Sequence, residues 1–118
     1  MKRSLMAAIG FCILCGAWPA IAADYAPLDC TKAKSAAEIT ICKTYALGQA
    51  EARMTTLYSV ATSLVAMGQR GDIQDTQVEF LKARDGCGRN VACLIKAYSR
   101  RTDQLNKVIA VIASRGPC

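Results

Sequence analysis

The chain has 118 residues, a formal net charge of +6, 20% charged and 6% aromatic residues, seven cysteines and no histidine. That length supports one domain. The missing histidine removes the commonest general acid–base group and metal ligand, and scattered basic residues with few aromatic side chains argue against a nucleic-acid surface.

The N-terminus reads as an export signal. Lys2 and Arg3 are followed by an apolar run from Leu5 to Ala17, and Pro19 then precedes the small residues Ala20-Ile21-Ala22, an A-x-A cleavage pattern. The apolar run covers about 13 residues, short of the roughly 20 that a bilayer-spanning helix needs. Residues 1–22 are therefore expected to be a signal peptide, and residues 23–118 a helical domain exported to the periplasm or secreted, with no membrane span after cleavage. Cys12 and Cys15 lie inside the signal behind Phe11 and Leu14, whereas lipid-attachment cysteines follow a small residue, so neither is read as an anchor. The segment after cleavage keeps 13 of the 15 basic residues and all nine acidic ones.

Cys30, Cys42, Cys87, Cys93 and Cys118 remain after cleavage. In an oxidising compartment four of them make two bridges and one is left over. The spacings match no zinc pattern and histidine is absent, so neither a metal nor another cofactor is expected.

Residues 23–31 carry Pro27 and no periodicity, an irregular lead-in. Ser35-Ala36-Ala37-Glu38 is a capping-box pattern that starts a short helix from Ala36 to about Cys42, with Ile39 on one face. Thr44 is read as the cap of a second helix. Leu47, Ala50, Met54, Leu57, Ala61, Leu64 and Gly68 recur three and four apart, with Tyr58 and Val65 widening the stripe. The Gly68-Gln69-Arg70-Gly71 segment is read as the turn that ends this helix. Asp72 then caps a helix whose inner face is Ile73, Gln77, Phe80, Leu81 and Arg84, broken by Gly86-Cys87-Gly88-Arg89-Asn90. The last helix starts near Val91, packs Leu94, Ile95, Tyr98, Leu105, Val108, Ile109 and Ile112, and stops at Gly116-Pro117.

No strand alternation competes. The expected fold is all-α: a small antiparallel bundle of three main helices plus a short N-terminal helix, stapled by two disulfides. Many pairings are open to five cysteines. The local set is favoured, because non-local pairs would have to cross the bundle. In the loop-entropy picture the Cys87–Cys93 bridge contributes roughly 2–3 kcal/mol and Cys30–Cys42 about 3.

The series Cys30…Glu38-x-x-Ile41-Cys42…Leu47…Tyr58, then Gln77-x-x-Phe80-Leu81-x-x-Arg84-Asp85-x-Cys87…Cys93-Leu94…Tyr98-x-x-Arg101-x-x-x-Leu105, resembles the LprI-like family, secreted bacterial proteins named for a lysozyme inhibitor. The resemblance spans residues 30–105. Phe80 stands where that family usually has tryptophan, and Glu51 where aspartate is common. It implies the same two bridges, Cys30–Cys42 and Cys87–Cys93, and a non-enzymatic protein that binds another protein, a lysozyme being the partner that the family name suggests.

Two sets of residues are candidates for a site. Arg84 and Arg101 fall on or beside apolar stripes. One reading makes them a recognition pair for an acidic group of a partner. The favoured one is a structural network with Asp85 and Tyr98, in which they bridge Asp85, Glu51 or backbone carbonyls near the Tyr58 and Tyr98 hydroxyls, as guanidinium forks suit. Arg89, in the tight loop bounded by Cys87 and Cys93, and Lys96 nearby are the candidates for partner binding. Catalysis has little to draw on, since no histidine, nucleophile elbow or paired carboxylates are present. Acids such as Glu51 are read as solvated surface. Cys118, the leftover thiol, is expected to be a free end, the link of a dimer or a covalent tie to a partner. The alternative function is a structural or assembly module of the bacterial envelope that docks on another protein through a helix face.

Overall fold

Four helices follow one another in the computed structural model, which describes residues 28–116: α1 (Ala36–Lys43), α2 (Tyr45–Leu64), α3 (Met67–Gly86) and α4 (Val91–Ser114). The signal segment 1–22, the first part of the lead-in and Cys118 lie outside the described residues. The described residues contain no strand, and none of their helices is long and apolar enough to cross a membrane.

Local chemistry sets the starts. Ser35 Oγ accepts from the Glu38 amide at 3.1 Å while Glu38 Oε2 accepts from the Ser35 amide at 3.2 Å, a complete capping box that satisfies two otherwise orphaned donors. Asn90 caps α4 by accepting from the Cys93 amide at 3.0 Å. Thr44 takes the N-cap position of α2, but its side chain makes no capping bond.

The turn between α2 and α3 falls earlier than the glycines suggest. Val65 and Ala66 are extended and form the whole connection, whereas Gly68, Gly71 and Asp72 lie within α3. The cause is visible in the last turn of α2. Thr62 Oγ1 bonds back to the Tyr58 carbonyl and Ser63 Oγ to the Val60 carbonyl, both at 2.8 Å, and Arg70 Nε reaches across from α3 to the Thr62 carbonyl at 2.9 Å. Hydroxyls that bond back in this way weaken helix continuation, and the arginine supplies a donor to a terminal carbonyl. Val65 then turns into the core and ends the helix there.

The core is Ala37 and Ile41 of α1, Leu47, Met54 and Ala61 of α2, Val65 of the α2–α3 connection, Ile73 and Phe80 of α3, and Leu94, Tyr98 and Leu105 of α4. From α1 it is Ala37 and Ile41 that enter the core; Ile39, expected on the packing face, points out. Leu64 and Ile95 are likewise exposed, since each sits one position off the line along which its helix meets the others. α4 packs most extensively against α2. Phe80 and Tyr98 join α3 to α4 edge to face, with ring centroids 5.3 Å apart.

Cys30 bonds to Cys42, tying the lead-in to the end of α1, and Cys87 bonds to Cys93 across the α3–α4 turn. The fold is thus an all-helical bundle with two local staples, a pattern that belongs to an oxidising compartment.

Candidate functional site

Three charged residues are buried at the bundle centre: Glu51 at 7% exposure, Arg84 at 5% and Arg101 at 3%. They fall into two groups. In the first, Tyr98 Oη donates to Glu51 Oε2 at 2.5 Å, and weaker contacts from the Leu28 amide and Thr55 Oγ1 reach Glu51 Oε1, each at 3.4 Å. Arg84 donates through Nε and Nη2 to Asp85 Oδ1 at 3.0 and 2.9 Å, and its Nη2 lies 3.6 Å from Glu38 Oε1. All four helices contribute to this group: Glu38 from α1, Glu51 and Thr55 from α2, Arg84 and Asp85 from α3, and Tyr98 from α4.

The electrostatics follow from burial and these partners. Burial and the bond to Glu51 raise the Tyr98 hydroxyl far above its ordinary range, so it stays a donor. Burial opposes the Arg84 charge, yet Asp85, Tyr98 and Glu51 outweigh it and the guanidinium is held above its ordinary value. The amides of Lys34 and Ser35, helped by Arg84, lower the Glu38 carboxyl.

Arg101 belongs to a separate group. Its Nε donates to Gln77 Oε1 at 2.8 Å, Nη1 to Thr76 Oγ1 at 3.0 Å and Gln104 Oε1 at 3.1 Å, and Nη2 to the Ile73 carbonyl at 3.0 Å. Three of those acceptors are on α3, so the residue clamps α4 to α3. Burial lowers its proton affinity, with Tyr58 and Glu79 acting in the opposite sense. Of the four residues expected in one network, Arg84 and Asp85 are joined directly, Tyr98 joins Glu51, and Arg101 stands apart.

Glu51, expected on the solvated surface, is in the core. Its position carried a signal: it lies four residues after Leu47 and three before Met54, on the same stripe.

The exposed candidates sit at the α3–α4 end. Gly88 adopts φ 55°, a left-handed conformation that glycine takes without strain, and the Cys87, Gly88 and Asn90 amides all donate to backbone carbonyls of this turn. Arg89 projects from this braced loop into solvent. Lys96 is exposed on the first turns of α4, beside a groove of about 350 Å³ between α3 and α4 that Arg100 and Arg101 also line. The described residues include no cluster of His, Cys, Asp or Glu able to hold a metal ion. Comparison with protein-family models, curated proteins and solved structures finds no match.

Proposed function

We propose that this is an exported, non-enzymatic binding protein of the LprI-like type, which blocks a lysozyme-like cell-wall hydrolase through the loop closed by Cys87 and Cys93. The observation that carries the reading is the loop itself. Arg89 is presented by a segment braced by a disulfide, a left-handed glycine and three backbone hydrogen bonds. A loop held in one shape loses little conformational freedom on binding, so its contacts go more fully into affinity. Arg89 and Lys96 supply positive charge toward the carboxylates of a hydrolase cleft.

The export part of the reading rests on the Lys2-Arg3 start, the Leu5–Ala17 run and the Ala20-Ile21-Ala22 site, with the disulfides as support. A net positive charge provides no long-range attraction toward a basic lysozyme, so recognition rests on contact complementarity instead of steering.

The test is the turbidity of cell-wall suspensions during lysis by several lysozymes, with and without the oxidised protein. Dose-dependent protection that Arg89→Glu removes is the expected result. Absence of protection against every lysozyme by demonstrably folded protein overturns it.

A second reading, an envelope module docking by a helix face, is favoured by Leu64 and Met67, 57% and 84% exposed around the α2–α3 turn. Such apolar docking survives high salt, whereas carboxylate blocking by Arg89 weakens as screening rises.

A further inference from the structure

Three cations lie within six residues of α4, at Lys96, Arg100 and Arg101, and all three line the groove between α3 and α4. Lys96 and Arg100 are four apart, so they share a helix face, an arrangement that isolated helices disfavour. Glu79 is the one acid among the groove-lining residues, and among the described residues no carboxylate lies within 4.0 Å of any of the three cations.

Arg101 is the most informative. It is only 3% exposed, and its hydrogen-bond partners are all neutral: two amide oxygens, one hydroxyl and one carbonyl. These bonds use four of its five N–H groups, and one Nη2 hydrogen remains unengaged among the described residues. A buried guanidinium is ordinarily matched by a carboxylate. Here no carboxylate pairs with it directly; Glu79, which lines the same groove, acts on it only from beyond 4.0 Å, while two further cations line the groove as well.

The rest of the lining is suited to a ligand. Phe80, Ala83 and Ala97 make an apolar wall, and the volume of about 350 Å³ is within the range of small-molecule sites. We propose that this groove binds an oxyanion, a phosphate or carboxylate group carried on a small organic body, with Arg101 as the fixed inner donor and Lys96 and Arg100 closing over the charge. Lys96 is shared with the loop reading, but Arg89 does not line the groove and Arg100 and Arg101 belong to it alone, so loss of phosphate or acetate binding in Arg100→Ala tests this inference separately from lysozyme protection.

The experiment is an amide chemical-shift titration of the oxidised protein with sodium phosphate and, separately, sodium acetate, ionic strength being held with sodium chloride. The expected result is saturable shifts at Thr76, Ala83, Ala97 and Arg100. Lys96→Ala and Arg100→Ala should each weaken binding about two- to fivefold, the loss expected for one exposed ion pair, and Glu79→Gln should tighten it. These positions are exposed, so the variants keep the fold that Arg101 clamps. Stronger binding of phosphate assigns a phosphoryl ligand and stronger binding of acetate a carboxylate. Shifts that match the chloride control, or affinities unchanged by Lys96→Ala and Arg100→Ala, overturn the inference.

Discussion

Tyr98→Phe removes one hydroxyl from the centre of the bundle and leaves the ring in its edge contact with Phe80. The hydroxyl is the strong donor to Glu51, since the two other contacts to that carboxylate, from Leu28 and Thr55, are both 3.4 Å long. A hydrogen bond to a charged group contributes about 1.5–3 kcal/mol, and stranding a buried carboxylate puts this case in the upper half of that range. The expected loss is therefore about 2–3 kcal/mol, or a fall in Tm of about 8–24 °C for a domain of this size. Urea unfolding of oxidised protein measures it, with Glu51→Gln and the double variant completing a cycle. Because both changes act on one bond, the double variant should be more stable than the sum of the singles predicts, by about 1–2 kcal/mol. A Tyr98→Phe cost below about 0.5 kcal/mol, or strict additivity, would refute the claim that this bond organises the core.

Replacing both Cys87 and Cys93 with serine should lower stability by about 2–3 kcal/mol and, if the loop carries binding, weaken lysozyme protection further than the stability loss explains; equilibrium unfolding and the lysis assay together check this. Glu38 has a lowered folded pKa, so its contribution is present above its ordinary value of 4.5 and is lost as pH falls through the lower folded value. Thermal melts from pH 7 to pH 3 should show a flatter decline for Glu38→Gln than for the parent, and superimposable slopes would contradict the assignment.

The helices were legible because their apolar spacing is regular, and the Ser35–Glu38 capping box forms as expected; the caps expected at Thr44 and Asp72 do not form, and Asn90, read only as part of the break before α4, is the residue that caps it. The α2–α3 boundary was not legible. Gly68 and Gly71 are a strong turn signal, yet glycine tolerates a helix, and the decision fell to Thr62, Ser63 and Arg70, whose bonds to α2 carbonyls end the helix several residues sooner. Glu51 was misplaced for a related reason. A carboxylate on an apolar stripe reads as surface until its donor is known, and that donor, Tyr98, is 47 residues away in sequence. Arg84 and Arg101 were recognisable as inward-facing and the Arg84–Asp85 bond forms as expected, but Glu38, Gln77 and Thr76 were not legible as partners, because their reach depends on how α3 rotates against its neighbours.

The buried polar groups form a chain of ties between helices. Arg84 links α3 to Glu38 of α1, Arg101 links α4 to Ile73, Thr76 and Gln77 of α3, and Tyr98 links α4 to Glu51 of α2. Apolar side chains of similar volume would hold the helices together about as well, since buried charges lose solvation that their partners only partly restore. They would do so less selectively, because apolar contacts tolerate rotation and sliding. Moving α3 one turn along α4, about 5.4 Å, would strand the Arg101 guanidinium from all three of its α3 acceptors at once. The groove and the Arg89 loop are both built from α3, α4 and the turn between them, so their shape depends on that register. The Cys87–Cys93 bond fixes the two helices where they meet, and Arg101 fixes them farther along. With both in place, the exposed cations keep a constant spacing on the surface, which a site that recognises charge by geometry requires.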